Sequence, residues 1–356
     1  MSATRGPSQL SPRDREILKD VTLTYIQTGE PVSSRTVAKL RGNQLSAATI
    51  RNIMADLEEW GYLAQPHTSA GRVPTGAGYH TYIDSLMPTR LVPVRARRYI
   101  DEYLRESSSE GEALVSIATH LLTELSNQIG IVVTPAIGDT VLKALSFVKL
   151  SGRRVLCVLV SNGGFVDNKV IETLKPLPRR ELIRISNYLT DNFGGLTLRQ
   201  IRGRLLQLMA EERAQLDQLL ANAIALAQQA LATEEEQELL VEGTSAVLTQ
   251  PELADIERVR KLMDTFTDKA RLLRILSQLI DGTGVRVVIG EDSDLTSDLD
   301  FSLVATTYGS GHRPLGTLGV FGPSRMEYQK MVPLVGYLGQ TLSNALAASG
   351  PQGTDE

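Results

Sequence analysis

One short segment places small and hydrogen-bonding side chains on the side of a helix that its apolar stripe leaves free. From Ser46 onward, apolar residues recur at intervals of three and four, namely Ile50, Ile53, Met54, Leu57 and Trp60. Such spacing predicts a helix that buries this stripe. Ser46 is a favoured N-cap residue and Gly61 a favoured C′ residue, so both ends of the helix are marked. The opposite side then carries Ala47, Ala48, Arg51, Asn52 and Ala55.

These residue types suit the edges of DNA bases. Arg51 can bind guanine with two hydrogen bonds, Asn52 can bind adenine, and an alanine methyl can contact a thymine methyl. Ser46, Thr49 and the free N–H groups of the first turn can hold a backbone phosphate. The alternative is an ordinary solvated helix face, which usually carries more Glu and Lys than this one. The residue types therefore favour a helix that lies in the major groove of double-stranded DNA.

Two neighbouring segments add donors for the DNA backbone. A short preceding helix carries the basic residues Arg35, Lys39 and Arg41. A turn-rich segment after the third helix groups further donors on one hairpin, namely His67, Thr68, Ser69 and Arg72. These side chains can reach a phosphate or enter the minor groove. By itself, the hairpin is equally consistent with a routine structural turn.

The elements that must position these residues form a recognisable order. Three predicted helices are followed by a β-hairpin, which is the winged helix-turn-helix pattern, and a short helix over 79–87 closes the unit. We predict this DNA-binding domain over 11–88, after a disordered leader over 1–10. Pro88 and Pro93 mark the linker that follows.

The remaining chain predicts an α+β fold with an insertion. Helical patterns over 96–128 and four strand patterns up to 175 are followed by a strongly helical block. Strand patterns return after 282, and a closing helix follows them. We therefore predict one discontinuous sheet domain over 96–175 and 282–347, interrupted by a mainly helical domain over 176–281. Residues 348–356 are predicted to be a flexible tail.

The number of contacts that specific DNA binding requires predicts a dimer. A single winged helix reads only a few base pairs, whereas specific binding in the range of about 10⁻⁸ to 10⁻¹¹ M needs more contacts. Two copies on an inverted repeat supply them. The long C-terminal region then has an evident role in dimerisation.

Composition excludes several other classes of protein. The net charge of −4 over 356 residues excludes a uniformly basic coat, and one cysteine excludes an internal disulfide. The first residues lack the apolar core of a signal peptide, and no apolar run approaches the ~20 residues that span a bilayer. We therefore expect a cytoplasmic protein with no membrane association.

The sequence contains few features that favour a catalytic function. The four histidines, at positions 67, 80, 120 and 312, show no metal-binding spacing. Cys157 lies within an apolar strand pattern, which is typical of a buried core residue. The glycine pairs at 282–284 and 309–311 do not lie between a strand and a helix, as a phosphate loop requires. We predict no catalytic residue, no metal and no cofactor, and therefore no enzyme.

Longer motifs resemble a known family. The segments that carry the resemblance are Ser46–Leu63, Gln65–Thr75, Gly78-Tyr79, Glu242–Ser245, Pro251-Glu252, Ile289–Asp292 and Gly322–Tyr328. Together they resemble HrcA, the family of bacterial heat-inducible transcription repressors, over nearly the whole chain from Leu10 to about Ala347. One departure is Trp60, which stands where the family usually has a smaller apolar residue, and it does not affect the DNA-facing positions.

The resemblance implies an architecture and a mode of regulation. It implies a winged helix-turn-helix, a GAF-like domain and a dimerising domain inserted within the latter. The implied operator is an inverted repeat of the CIRCE type, ahead of chaperone operons such as groE and dnaK. The implied partner is the GroE chaperonin, which keeps the repressor active. On heat shock, unfolded proteins occupy the chaperonin, and the repressor loses its activity.

A second function remains open from the sequence. An effector bound in the GAF-like domain could set the affinity for DNA, which would make the protein a ligand-responsive regulator. The segment Gly322–Met326 could line such a pocket or a dimer contact, or it could simply be a tight turn in which Ser324 caps the last helix.

Overall fold

The computed structural model describes most of the chain. The described residues are 10–67, 70–88, 90–106, 111–134, 140–162, 164–173, 175–210, 218–230, 239–247, 257, 259–260, 272–273, 276, 284–290, 300–310 and 313–348. The predicted leader, apart from Leu10, and the predicted tail, apart from Ala348, lie outside these residues. Much of the predicted insertion after residue 230 also lies outside them.

Each of the first three helices begins after a serine that satisfies a free backbone N–H. Ser11 accepts a bond from the N–H of Asp14, and Asp14 accepts one from the N–H of Ser11, which completes a capping box. Ser33 and Ser46 cap the next two helices with their side-chain oxygens. The helices are α1 (Pro12–Thr28), α2 (Ser34–Leu40) and α3 (Ala47–Glu59).

A two-stranded antiparallel ladder follows these helices. It consists of β1 (Leu63–Ala64) and β2 (Val73–Pro74). Thr75 then caps α4 (Gly76–Thr81) and also donates to the carbonyl of Gly61 at 2.6 Å. A π-helical turn over Tyr82–Leu86 ends the N-terminal unit.

The remaining elements continue in this order: α5 (Val94–Glu106), α6 (Gly111–Ser126), β3 (Ile129–Val133), β4 (Leu142–Ser151), β5 (Arg154–Ser161), β6 (Val166–Glu172), α7 (Arg179–Phe193), α8 (Leu198–Ala210), α9 (Gln218–Ala230), β7 (Leu239–Glu242), α10 (Thr244–Val247), β8 (Arg286–Ile289), β9 (Phe301–Ser310), β10 (Arg313–Pro323) and α11 (Tyr328–Ala348).

The larger sheet joins strands that are far apart in sequence. Its five strands are antiparallel in the order β7-β3-β10-β9-β8. On one face, Val132, Val304 and Val320 pack against α6 and α11, and α5 packs on these two helices. On the other face, Phe301 and Phe321 stack with their ring centroids 5.1 Å apart. The architecture is therefore a mixture of helices and antiparallel sheets.

A smaller sheet forms a separate core. Strands β4, β5 and β6 pair only with one another among the described strands, in the order β4-β5-β6. Their buried residues, such as Phe147 and Cys157, pack with Leu182, Ile185 and Leu189 of α7. This core extends through α9 to Ala230.

The smaller sheet differs from the predicted grouping. The sequence places the strand patterns up to 175 with the later strands in one sheet domain and begins the helical insertion at 176. In the structure, β3 pairs with β10 and with β7, which lies inside the predicted insertion, and the described strands of the larger sheet do not include β4–β6. The packed unit between the two parts of that sheet therefore runs from about 140 to 230. Strand patterns reveal extended segments but not their pairing, which is why the sequence missed this division.

Among the described helices, none combines the length and the apolar composition that a bilayer crossing requires.

Candidate nucleic-acid interface

Helix α3 is held by one buried face. Ile50 and Leu57 are fully buried and Met54 is nearly so, in a core that α1 completes with Ile17 and Leu18. Helix α3 also packs on α2 and on β1. Because three consecutive turns are anchored, the opposite side of α3 has a fixed orientation relative to α2.

The residues predicted to read DNA lie on that opposite side. Ala48, Thr49, Arg51 and Asn52 are exposed, whereas Ala47 is half-buried against the core. No acidic residue occurs in the first turn of α3, and the first carboxylate of the helix is Asp56. The positive end of the helix dipole is therefore available to a phosphate.

Helices α2 and α3 begin with the same local structure. The Ser46 side chain accepts from the N–H of Thr49 at 3.1 Å, and the two hydroxyls lie 2.9 Å apart. Ser33 and Thr36 repeat this arrangement with distances of 3.2 and 2.9 Å. Both helices therefore present a paired hydroxyl at an exposed N-terminus.

The basic residues fall into two groups. Arg35, Lys39 and Arg51 are exposed, and no carboxylate of the described residues pairs with any of them. Arg41 instead binds Glu16 at 2.6 Å and Asp20 at 2.5 Å, across the α1–α2 contact. The three unpaired cations retain their charge for an external anion, whereas the Arg41 charge is largely matched within the chain.

Arg72 belongs to the second group. Its guanidinium lies 2.7 Å from the Glu58 carboxylate near the end of α3, and its side chain is only 18% exposed. Its backbone also forms an isolated bridge with Val32, in which each N–H donates to the other's carbonyl at 2.8–2.9 Å. Arg72 therefore fixes the base of the hairpin to α3 and to the loop before α2.

The tip of the hairpin is partly described. His67 is exposed, and its carbonyl accepts from the N–H of Ala70 at 2.8 Å, which closes a turn. The Gln65 side chain also donates to the carbonyl of Ala70 at 3.0 Å. Thr68 and Ser69, which were predicted to contact DNA, lie outside the described residues.

Gly71 permits the hairpin to approach the loop before α2. A β-carbon at this position would lie 2.4 Å from the Val32 carbonyl group. We expect Gly71→Ala to separate the hairpin from this loop and to destabilise the N-terminal unit by about 1–3 kcal/mol, because the colliding atoms are backbone. Fluorescence of Trp60, the single tryptophan, reports unfolding of this unit in the full chain.

A matched control for this substitution lies five residues away. A β-carbon on Gly76 would meet only one carbonyl oxygen, at the ordinary contact distance of 3.9 Å. Gly76→Ala should therefore leave the unfolding midpoint nearly unchanged. If both variants unfold alike, Gly71 has no special role in docking the hairpin.

Two contributors to this surface were missed by the sequence analysis. Thr36 is exposed beside the unpaired Arg35 and Lys39, and the repeated Ser-x-x-Thr spacing in Ser33–Thr36 and Ser46–Thr49 could have indicated it. Leu40, 62% exposed on the same helix, carried no such signal because its position fits a buried stripe.

Two other reactive side chains are buried or paired within the chain. Burial raises the pKa of the Cys157 thiol to about 12, so the thiol is protonated and unreactive near neutral pH. The exposed His120 ring lies 2.8 Å from the Glu242 carboxylate, which raises the pKa of the imidazole and links α6 to β7. The described residues contain no His, Cys, Asp and Glu grouping able to hold a metal ion.

Comparisons with known proteins agree over almost the whole chain. The family model described as "HrcA protein C terminal domain" matches residues 112–332. The heat-inducible transcription repressor HrcA of Geobacter sulfurreducens is 40% identical over 339 residues, which cover 95% of this chain and 99% of that protein. Proteins of the same name from Syntrophobacter fumaroxidans and Xanthomonas campestris pv. campestris are 36% and 38% identical and cover 96% and 98% of this chain and 99% of each relative.

A solved structure shares the fold. A crystal structure described as a hypothetical protein at 2.2 Å resolution has a TM-score of 0.59 and 24% sequence identity, and the match covers 97% of this chain and all of that one. The family match, which spans more than half of the chain, and the near-complete coverage of the curated relatives lead to one conclusion. The chain belongs to the HrcA family.

Proposed function

We propose that this protein is a transcription repressor that binds an inverted-repeat operator with α3 in the major groove. The observation that carries the proposal is the exposed face of α3, on which the unpaired Arg51 stands beside Asn52 and small residues, at a helix end free of carboxylates. Relatives at 36–40% identity that are named heat-inducible transcription repressors support this function.

The geometry suggests a division of roles within a winged helix-turn-helix over 11–88. Arg51, Asn52 and Ala48 read base edges, and Ser46 and Thr49 hold a phosphate at the helix N-terminus. Ala47, which is half-buried, packs against the core beside them. Further phosphate or minor-groove contacts come from Arg35, Lys39, His67, Thr68 and Ser69. In this proposal, Arg41 and Arg72 act mainly through Glu16, Asp20 and Glu58, by positioning α2 and the hairpin.

Dimerisation is assigned to the unit formed by β4–β6 and α7–α9. Its sheet turns one face toward α7 and the other outward, and the outward face is largely apolar, with Ser146 and Asn168 in its middle row. Val148, Leu156 and Val170 are neighbours in one row across the three strands, and Val148 and Val170 are 47% and 48% exposed. Val158, Val160 and Val166 continue this face. A second copy of the chain would bury the same face on both subunits, as a twofold dimer requires.

Regulation by temperature completes the proposal. We infer that the protein represses chaperone operons such as groE and dnaK through a CIRCE-type operator in the cytoplasm. We further infer that the GroE chaperonin maintains its activity, and that heat shock relieves repression. The larger sheet with α5, α6 and α11 is assigned to the GAF-like domain that the family resemblance implies.

A mobility-shift experiment tests this function. The probes are a duplex that carries the inverted repeat from upstream of a chaperone operon and the same duplex with both half-sites scrambled. We expect a shift only with the first probe. After mild heating the chain should aggregate and lose the shift, and purified GroE should prevent both changes. Equal binding to both probes would contradict the proposal, and activity that survives heating without GroE would contradict its regulatory part.

A further inference from the structure

A cavity of about 540 Å³ lies where the N-terminal unit meets the larger sheet domain. Most of its walls come from three parts of the chain: α1 supplies Leu23 and Ile26, the connecting segment supplies Leu91 and Val92, and the beginning of α11 supplies Leu334 with its neighbours. Tyr82 of the π-helical turn, Ala96 of α5 and Leu125 of α6 complete the lining. A volume in this range accommodates a small organic molecule.

The two units are held together beside this cavity by specific contacts. The rings of Tyr79 and Tyr328 lie 5.8 Å apart, and the Gln329 side chain donates to the Tyr82 hydroxyl at 2.7 Å. The Arg325 guanidinium approaches Gly29, the residue that caps the end of α1. The segment that includes Arg325, for which the sequence left several roles open, therefore connects the units, and the cavity lies beside these contacts.

Apolar surface remains open to solvent at the cavity. Leu91 is 80% exposed, although its neighbour Val92 is 6% exposed. An exposed leucine beside an apolar hollow gains favourable burial when an apolar group fills the hollow. The walls therefore favour a ligand with a hydrocarbon body.

The charged residues that line the cavity determine which polar head group the ligand can have. Arg90 and Lys330 line the cavity, and both are exposed without a paired carboxylate among the described residues. Glu327 is the one acidic residue of the described lining, and it lies at the positive end of the 21-residue helix α11. Two cations and a helix N-terminus against one carboxylate favour an anionic head group.

We propose that this junction cavity binds a small amphipathic carboxylate, with the hydrocarbon chain between α1 and α11 and the carboxylate at Arg90 and Lys330. Nothing in this proposal depends on DNA binding, so it stands or fails separately from the repressor function. Because the ligand would contact both units, its binding should stabilise the junction against thermal separation.

Isothermal calorimetry on the full chain without DNA tests the site with octanoate. We expect one site per chain and a dissociation constant on the order of 10 µM to 1 mM, the range for a ligand with about ten non-hydrogen atoms. Octanamide should bind about tenfold more weakly and octylammonium more weakly still, because the three molecules share an eight-carbon skeleton while the head group changes from anionic to neutral to cationic.

Substitutions locate the site. Leu91→Glu adds a carboxylate at an 80% exposed position, so the chain should fold normally while octanoate binding falls by about tenfold or more and octylammonium binding improves. Ala96→Phe should block the cavity by filling it. Ile183→Glu, at a 49% exposed position on α7, is the matched control and should bind octanoate like the original chain.

The proposal is overturned by any of three results: no saturable octanoate binding, equal binding of octanoate and octylammonium, or octanoate binding that survives Leu91→Glu unchanged.

Discussion

Arg51→Ala is expected to weaken binding to the inverted-repeat operator by about 5- to 150-fold, which corresponds to roughly 1–3 kcal/mol per bidentate contact. Arg51 is exposed in the middle of the proposed reading face of α3 and has no ion pair among the described residues. Its removal therefore deletes a contact to DNA without breaking one inside the protein. The loss should fall mainly on the specific sequence, so the ratio of operator to scrambled-duplex affinity should also decrease.

Two variants separate base reading from simple charge loss. Lys39→Ala should weaken binding to both duplexes alike and reduce the slope of log affinity against log salt by about 1, as expected for a phosphate contact. Arg13→Ala removes an exposed arginine at the start of α1 and should leave both affinities unchanged. If Arg51→Ala binds the operator as tightly as the original chain, α3 does not read DNA with this face.

Converting the outward face of the smaller sheet to a charged surface should produce a monomer. In the double variant Val148→Lys and Val170→Lys, four ammonium groups would meet in a twofold interface, where apolar contact is required. Operator affinity should fall by about 100-fold or more, because two linked reading units gain 10²- to 10⁴-fold over one. Sedimentation velocity measures the subunit state, and a mobility shift with full and half operators measures the consequence.

The control for this variant introduces a lysine on a different surface of the same unit. Ile183 is 49% exposed on α7, so Ile183→Lys introduces the same group at an equally exposed position of the same unit. It should remain a dimer with unchanged operator affinity. A double variant that sediments as a dimer would show that the chain associates through another surface.

Local sequence signals were enough to predict most elements of the N-terminal unit. Ser46 marked the beginning of α3, and the spacing of Ile50 and Leu57 assigned the buried side of that helix. These features depend on residues within one or two turns of each other, so composition and spacing contain the information. The exposure of Arg51 follows from the same argument.

Contacts between distant residues could not be predicted in this way. Arg41 and Arg72 look like any basic residues beside a reading helix, yet Glu16, Asp20 and Glu58 match their charges in the folded chain. Their partners lie 14 to 25 positions away, and no local rule specifies which carboxylate meets which guanidinium.

Which strands belong to the same sheet also depends on contacts between residues that are distant in the sequence. The strand β5 was recognisable from its continuous run of apolar residues, of which Val155, Cys157 and Leu159 face the core in the structure. Its assignment to a separate three-stranded sheet was not recognisable, because the residue types of a strand do not specify its partner, and β3 pairs with the distant β10 and not with β4, the next strand along the chain. Residue types and their periodicity thus determined the local elements and the side of α3 that faces solvent. The burial of particular side chains in two separate cores determined the strand partners, the neutralised arginines and the junction cavity, since each depends on segments that only the folded chain brings together.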